Sequence, residues 1–210
     1  MKIEWRGFLM TFLFTLTNIV YLNILWIIFS LIGFGVLGVA PATVAVMKSL
    51  EGFRFDSDYV PIKTFFSYYK KAFKQANQLQ TVYFLAIALL FLSYRVLVLM
   101  MGVTGIIPVF YLTIIVVLLF TNGLSLQSLL LYPDMTTMDR FKLSLFLLMR
   151  YPLLYVPIIF TLIGCYFIVT IKSAILIFIG AVLPIVVITF LQTRMFSKFK
   201  HDFPSFGVIE

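Results

Sequence analysis

Carboxylates are scarce in this chain, and where they are missing matters more than how few there are. Asp and Glu number 8 against 16 Lys and Arg over 210 residues, and none of the 8 lies inside a long apolar run. That speaks against a proton pump built on intramembrane carboxylates. Cysteine is nearly absent: with Cys165 alone, neither an intrachain disulfide nor a zinc site built on thiolates can form. The one histidine, His201, sits in a charged tail, and no H-E-x-x-H, Walker A or G-x-S-x-G pattern occurs. A lone Cys165 also lacks a nearby base, so the chain reads as non-enzymatic, with no cofactor and no metal. Charge as a whole is thin, 11% of residues against about 25% in soluble domains.

What fills the chain instead is apolar: 62% hydrophobic residues and a mean hydropathy of +1.10. This is the composition of an integral membrane protein. The net charge of +8 does not point to nucleic acid, because the basic residues cluster at the ends of apolar runs, as the positive-inside rule expects. The expected fold is all-α, a single polytopic membrane domain over 1–210 with about six spans, near 7–30, 36–50, 79–101, 106–131, 151–171 and 174–193. The first apolar run is far longer than a signal peptide's core, so the N-terminus is read as retained.

The second span is the contested one. Gly33, Gly35, Gly38 and Pro41 break the pattern, and Pro41 suits the first turn of a new helix. Residues 36–50 either cross, short by several ångströms of a roughly 30 Å core, or form a re-entrant half-helix, leaving five spans. Crossing obeys the positive-inside rule better, since it places Lys2, Arg6 and the basic residues from Lys48 to Lys74 on one side. Both termini are then cytoplasmic.

Between spans, 62–78 has the spacing of a basic amphipathic helix. Ile62, Phe65, Phe66, Tyr69, Phe73 and Ala76 fall on one face, and Lys63, Lys70, Lys71 and Lys74 on the other. An interfacial position in the cytoplasmic leaflet is expected, aromatics toward the acyl boundary and lysines toward anionic lipid or a partner. A second, weaker interfacial helix is expected over 137–149, with Met138, Phe141, Leu145 and Leu148 as its apolar face.

Candidates for ligand contact or passage lining are few: Arg95, the one formal charge deep in an apolar run, with Asn122, Asn18 and Asn23. Each has a plainer reading, snorkelling for Arg95 and helix-packing hydrogen bonds for the amides. Thr121, Ser125 and Ser128 share a face and invite the same two readings. Lys63, Lys70, Lys71 and Lys74 are the candidates for docking a partner or lipid.

Asn23-Ile24-Leu25-Trp26, Gly38-Val39-Ala40-Pro41-Ala42-Thr43 and Phe65-Phe66 with Lys70, Phe73, Lys74 and Gln75 resemble the YesL family of small bacterial membrane proteins. The likeness covers mainly residues 18 to 80 and departs at Ala40-Pro41, where the family more often has Gly-Pro. The resemblance implies a Gram-positive cytoplasmic membrane protein associated with carbohydrate ABC importers, and supplies no catalytic residues. The importer permeases' E-A-A-x-x-x-G signature is absent, which favours an accessory subunit over a principal permease. The expected partners are therefore membrane lipids and an importer's permeases and ATPase. The competing readings are a homo-oligomeric small-solute transporter or channel, and an anionic-lipid-binding scaffold.

Overall fold

The computed structural model describes residues 5–51, 59–100, 102, 104–152, 156–171, 180 and 182–202. Among them the architecture is all-helical, without strands: α1 (Trp5–Ile32), α2 (Val36–Glu51), α3 (Ile62–Arg95) running into a π-helical turn (Val96–Met100), α4 (Ile106–Leu131), α5 (Thr137–Arg150), α6 (Val156–Ile171) and α7 (Val182–Asp202). Four helical segments among the described residues are long and apolar enough to cross a bilayer: Leu9–Ile32, Ile62–Val98, Ile106–Leu131 and Val182–Asp202. α2 has 16 residues, about 24 Å at 1.5 Å per residue, short of a roughly 30 Å core.

The chain divides into two compact units, Met1–Phe73 with Pro152–Glu210, and Lys74–Tyr151. The first is organised by the reversal between α1 and α2. Phe34 and Gly35 take positive φ, 58° and 71°, and turn the chain within three residues. The helices then approach so closely that a Cβ on Gly38 would run into the carbonyl oxygen of Ser30 and lie 2.7 Å from its Cα. α2 buries Ala40, Pro41, Ala42, Val44, Ala45, Val46 and Met47. Such small side chains let backbones pack closely, the usual basis of helix association in lipid. Trp26 Nε1 donates to Thr43 Oγ1 across the hairpin, at 3.1 Å.

Two of the following three sequence expectations change here; the short length of 36–50 was part of the expectation. Pro41 does not open α2; it is its sixth residue, and the helix begins at Val36, directly after the turn that Gly35 permits. Residues 36–50 form the expected helix but are not among the four segments long enough to span. Third, 62–78 and 79–101 are not separate elements, because α3 runs unbroken from Ile62 to Arg95. No Gly or Pro occurs between Pro61 and Gly102, so nothing in the sequence interrupts the helical ladder.

At the C-terminal end, α7 continues past 193 and carries Arg194, Lys198 and Lys200 on helix rather than on a tail. The expected 151–171 span has its helix from Val156. Lys172 and residues 174–179, expected to open the last hairpin, lie outside the described residues, as do Lys2 and 52–58.

In the second unit, Gly102 and Gly105 (φ 60° and 83°) frame the uncharged turn before α4. The chain leaves α4 through Tyr132 to Met135 and enters α5 at a capping box. Thr136 Oγ1 accepts from the Asp139 N–H at 3.2 Å and donates to Asp139 Oδ2 at 2.7 Å.

Candidate functional site

The described polar chemistry of the second unit converges on α5, on the face the sequence reading does not pick. Arg140, Leu143, Ser144 and Leu147 are its buried residues, whereas Met138 and Met149 are 62% and 76% exposed. Of the stripe Met138, Phe141, Leu145 and Leu148, Met138 is exposed and the other three are half-buried, with the Phe141 ring 6.1 Å from that of Tyr83, so the most buried face lies beside the expected one. In lipid an apolar stripe can face outward while polar residues pack inward, so hydrophobic periodicity does not identify the buried side.

Arg140 is 2% exposed. One guanidinium nitrogen donates to Ser128 Oγ at 3.3 Å and the other to the Pro133 carbonyl at 2.8 Å. Among the described residues no carboxylate lies within ion-pair distance of it. Burial pulls its pKa below the ordinary value and the nearby Asp134 pushes it partly back, yet a guanidinium stays protonated at neutral pH.

Ser128 in turn donates to the Ser125 carbonyl at 2.7 Å. Beside it runs a chain of hydroxyls, Tyr83 Oη to Ser125 Oγ at 2.7 Å and Ser125 Oγ to Ser144 Oγ at 2.8 Å. Its direction is fixed. Ser144 uses its single proton on the Arg140 carbonyl, at 2.7 Å, so Ser125 must donate to Ser144 and Tyr83 to Ser125. The shared face of Thr121, Ser125 and Ser128 is thus buried and joins α3, α4 and α5, which is packing rather than a passage.

Arg140 also lines a cavity of about 330 Å³, together with Gln75, Gln78, Leu79, Leu129, Met135, Thr136 and Thr137. No acid lines it. It sits where the apolar run of α3 begins, at Leu79, and that of α4 ends, at Leu131. Sequence reasoning passes over Arg140 because it stands in a polar connection, among Asp134, Asp139 and Lys142, where solvated charge is the default. The available signal is the pair of serines, Ser128 and Ser144, on neighbouring helices.

The sequence-predicted residues are distributed differently. In the first unit, Asn23 is fully buried and its Oδ1 accepts the backbone N–H of Val182 at 3.0 Å, tying α1 to α7. Asn18 is buried with its Nδ2 unpartnered. In the second unit, Asn122 Nδ2 donates to Gln80 Oε1 at 3.1 Å. Arg95 is exposed at the last residue of α3, 15 residues beyond Gln80, about 22 Å along the helix. Arg95 and Asn122 therefore do not share a site.

Lys63, Lys70, Lys71 and Lys74 are all exposed along α3, and no described carboxylate pairs with them. The opposite face is partly committed to protein: Phe65 and Tyr69 are buried, their rings 5.2 and 5.3 Å from that of Phe29 on α1. Ile62, Phe66 and Phe73 of the same face remain exposed, so α1 covers only part of it. Among the described residues no cluster of three or more His, Cys, Asp or Glu could hold a metal ion.

Comparison with known proteins returns one named family. Residues 19–94 match the family described as a protein of unknown function, DUF624. A stretch of 63 residues is 41% identical to the uncharacterized protein YteU of Bacillus subtilis (strain 168) and covers 30% of this chain but only 28% of that protein. No solved structure matches the chain. The family match takes in the second half of α1, all of α2 and nearly all of α3, including Gly33, Gly38 and Asn23. Arg140 and the α4–α5 half of the cavity fall outside it.

Proposed function

We propose that this chain is a non-enzymatic membrane subunit, of the YesL kind its sequence resembles, that serves a carbohydrate ABC importer of a Gram-positive cytoplasmic membrane in an accessory role. In this reading both termini and the lysine face of α3 are cytoplasmic, and that face docks a partner. The observation that carries it is that four exposed lysines without described ion-pair partners share a helix whose other face is anchored through Phe65 and Tyr69 on Phe29. Unpaired cations on one stripe suit an acidic complement and speed its encounter. The thin burial of the apolar windows of α3 and α4, 6% each, leaves those helices free to meet permease spans.

The test is isolation of the tagged protein from native membranes in gentle detergent, with mass spectrometry of what stays bound. Permease subunits and their ATPase in fixed ratio are expected, and they should be lost from the triple variant Lys70→Glu, Lys71→Glu, Lys74→Glu while the protein stays folded. Recovery alone, with sugar uptake unchanged on deletion, would sink the proposal.

A homo-oligomeric transporter draws on one observation, the buried Asn122 Oδ1 without a partner. It requires solute flux in proteoliposomes that Asn122→Leu abolishes. The anionic-lipid scaffold rests on the same lysines as the docking role. Retention of partners by the charge-reversed protein, with loss of lipid binding, would favour it.

A further inference from the structure

The cavity beside Arg140 has the makings of a site for an oxyanion. Among the described residues its wall holds Arg140, which is 2% exposed, the Thr137 hydroxyl and two glutamine amides, and no carboxylate; the Thr136 hydroxyl also faces it but spends its proton on Asp139. A buried cation ordinarily has a counter-charge, because an unpaired charge out of water is costly. Here the hydrogen bonds of Arg140 go to neutral oxygens, Ser128 Oγ and the Pro133 carbonyl. A guanidinium has five N–H donors in a planar fork, so donors remain for an incoming anion. The cavity also meets the start of α5, where Thr136 caps the helix and Thr137 is its first residue. The positive end of a 14-residue helix dipole adds to the same sign. Asp134 and Asp139 oppose it from nearby, but both are solvent-exposed and Asp139 is held by Thr136.

Size and position narrow the ligand. About 330 Å³ is at the small end of ligand pockets, enough for a phosphate group with a short polar substituent. The cavity lies at the level where the apolar runs of α3 and α4 give out, the depth at which headgroups lie. We propose that this pocket binds a phosphate ester, gripped by the Arg140 guanidinium and the Thr136–Thr137 end of α5. The same chemistry is offered by a lipid headgroup and by a soluble phosphate, and the experiment below separates them. The proposal does not depend on the docking role of the α3 lysines.

The full-length protein is purified in uncharged detergent, and its thermal unfolding followed with phosphatidylglycerol, with diacylglycerol as the phosphate-free lipid, and with glycerol 1-phosphate and inorganic phosphate against chloride at equal ionic strength. Stabilisation by phosphatidylglycerol over diacylglycerol assigns the site to a lipid; stabilisation by the soluble phosphates over chloride assigns it to a solute. Thr137→Asp is the deciding variant. It puts a carboxylate at an exposed first helical position, where the helix dipole favours it and folding is preserved, yet it should weaken phosphate binding about tenfold or more by repulsion across the cavity. Arg140→Gln should abolish binding wherever it folds. If no phosphate compound stabilises the protein beyond its control, or if Thr137→Asp binds as well as wild type, the proposal is overturned.

Discussion

At Gly38 the structure leaves no room for a single carbon. A Cβ there would overlap the Ser30 backbone, which cannot rotate away as a side-chain tip could. Gly38→Ala must therefore wedge α1 from α2. The expected cost is about 1 to 3 kcal/mol, as for overpacking, read as a lower midpoint of thermal unfolding in detergent. Gly164, inside α6, is the control: nothing lies within 4 Å of its would-be Cβ. Gly164→Ala should not lower the midpoint and, by helix propensity, is worth up to about 1 kcal/mol in the opposite direction. Asn23 carries a different kind of weight. Asn23→Leu keeps the branched shape, with bulkier methyls, but strips the acceptor from the Val182 N–H, and an orphaned buried donor costs about 1 to 3 kcal/mol. The same thermal measurement checks it, and a Leu variant as stable as wild type would show that the bond is dispensable. Neither role was legible beforehand. An asparagine in an apolar run announces that it needs a partner, but a partner 159 residues away in sequence leaves no local trace.

Among the elements, α3 and α5 separate what sequence discloses from what it hides. The helical character of 62–78 and of 79–101 was plain from periodicity and from the apolar run. Their union was not, because the change from basic-amphipathic to uniformly apolar at Leu79 looks like a boundary although no residue there breaks a helix. One helix means that the amides of Leu79 to Val82 are bonded within α3, so they should be protected in hydrogen–deuterium exchange. Rapid exchange at those four amides would restore the two-element reading. For α5, the boundaries expected at 137–149 agree closely with Thr137–Arg150, while the buried face does not. The capping box is a sequence signature, Thr136 three residues before Asp139. Thr136→Ala should lower stability by about 1 kcal/mol and Thr136→Ser should retain most of it, again by thermal unfolding.

For the molecule as a whole, the all-helical membrane class followed directly from hydropathy and from the scarcity of charge. The number of crossings did not, since 16-residue helices such as α2 are ambiguous by length alone. Burial separates the four long segments: 28% of the α1 window and 39% of the α7 window are covered, against 6% for α3 and for α4. An apolar photoactivated carbene probe in the bilayer should therefore label Val109, Phe110, Leu112, Val116 and Leu119 of α4, which are exposed, far more than Leu124 or Leu126, which are buried. In native membranes that labelling should fall if permease spans cover α4. Equal labelling with and without an importer present would count against a partner on that face.

The bond from α7 to Asn23 also has a meaning in the time domain of biosynthesis. Asn23 is polymerised 159 residues before the amide it receives, roughly 8 to 32 s at about 5 to 20 residues per second. Throughout that interval α1 holds an acceptor whose native donor has not been made. The nascent protein completes this bond only with α7, so α1 and α7 are joined at Asn23 only after nearly the whole chain has been made.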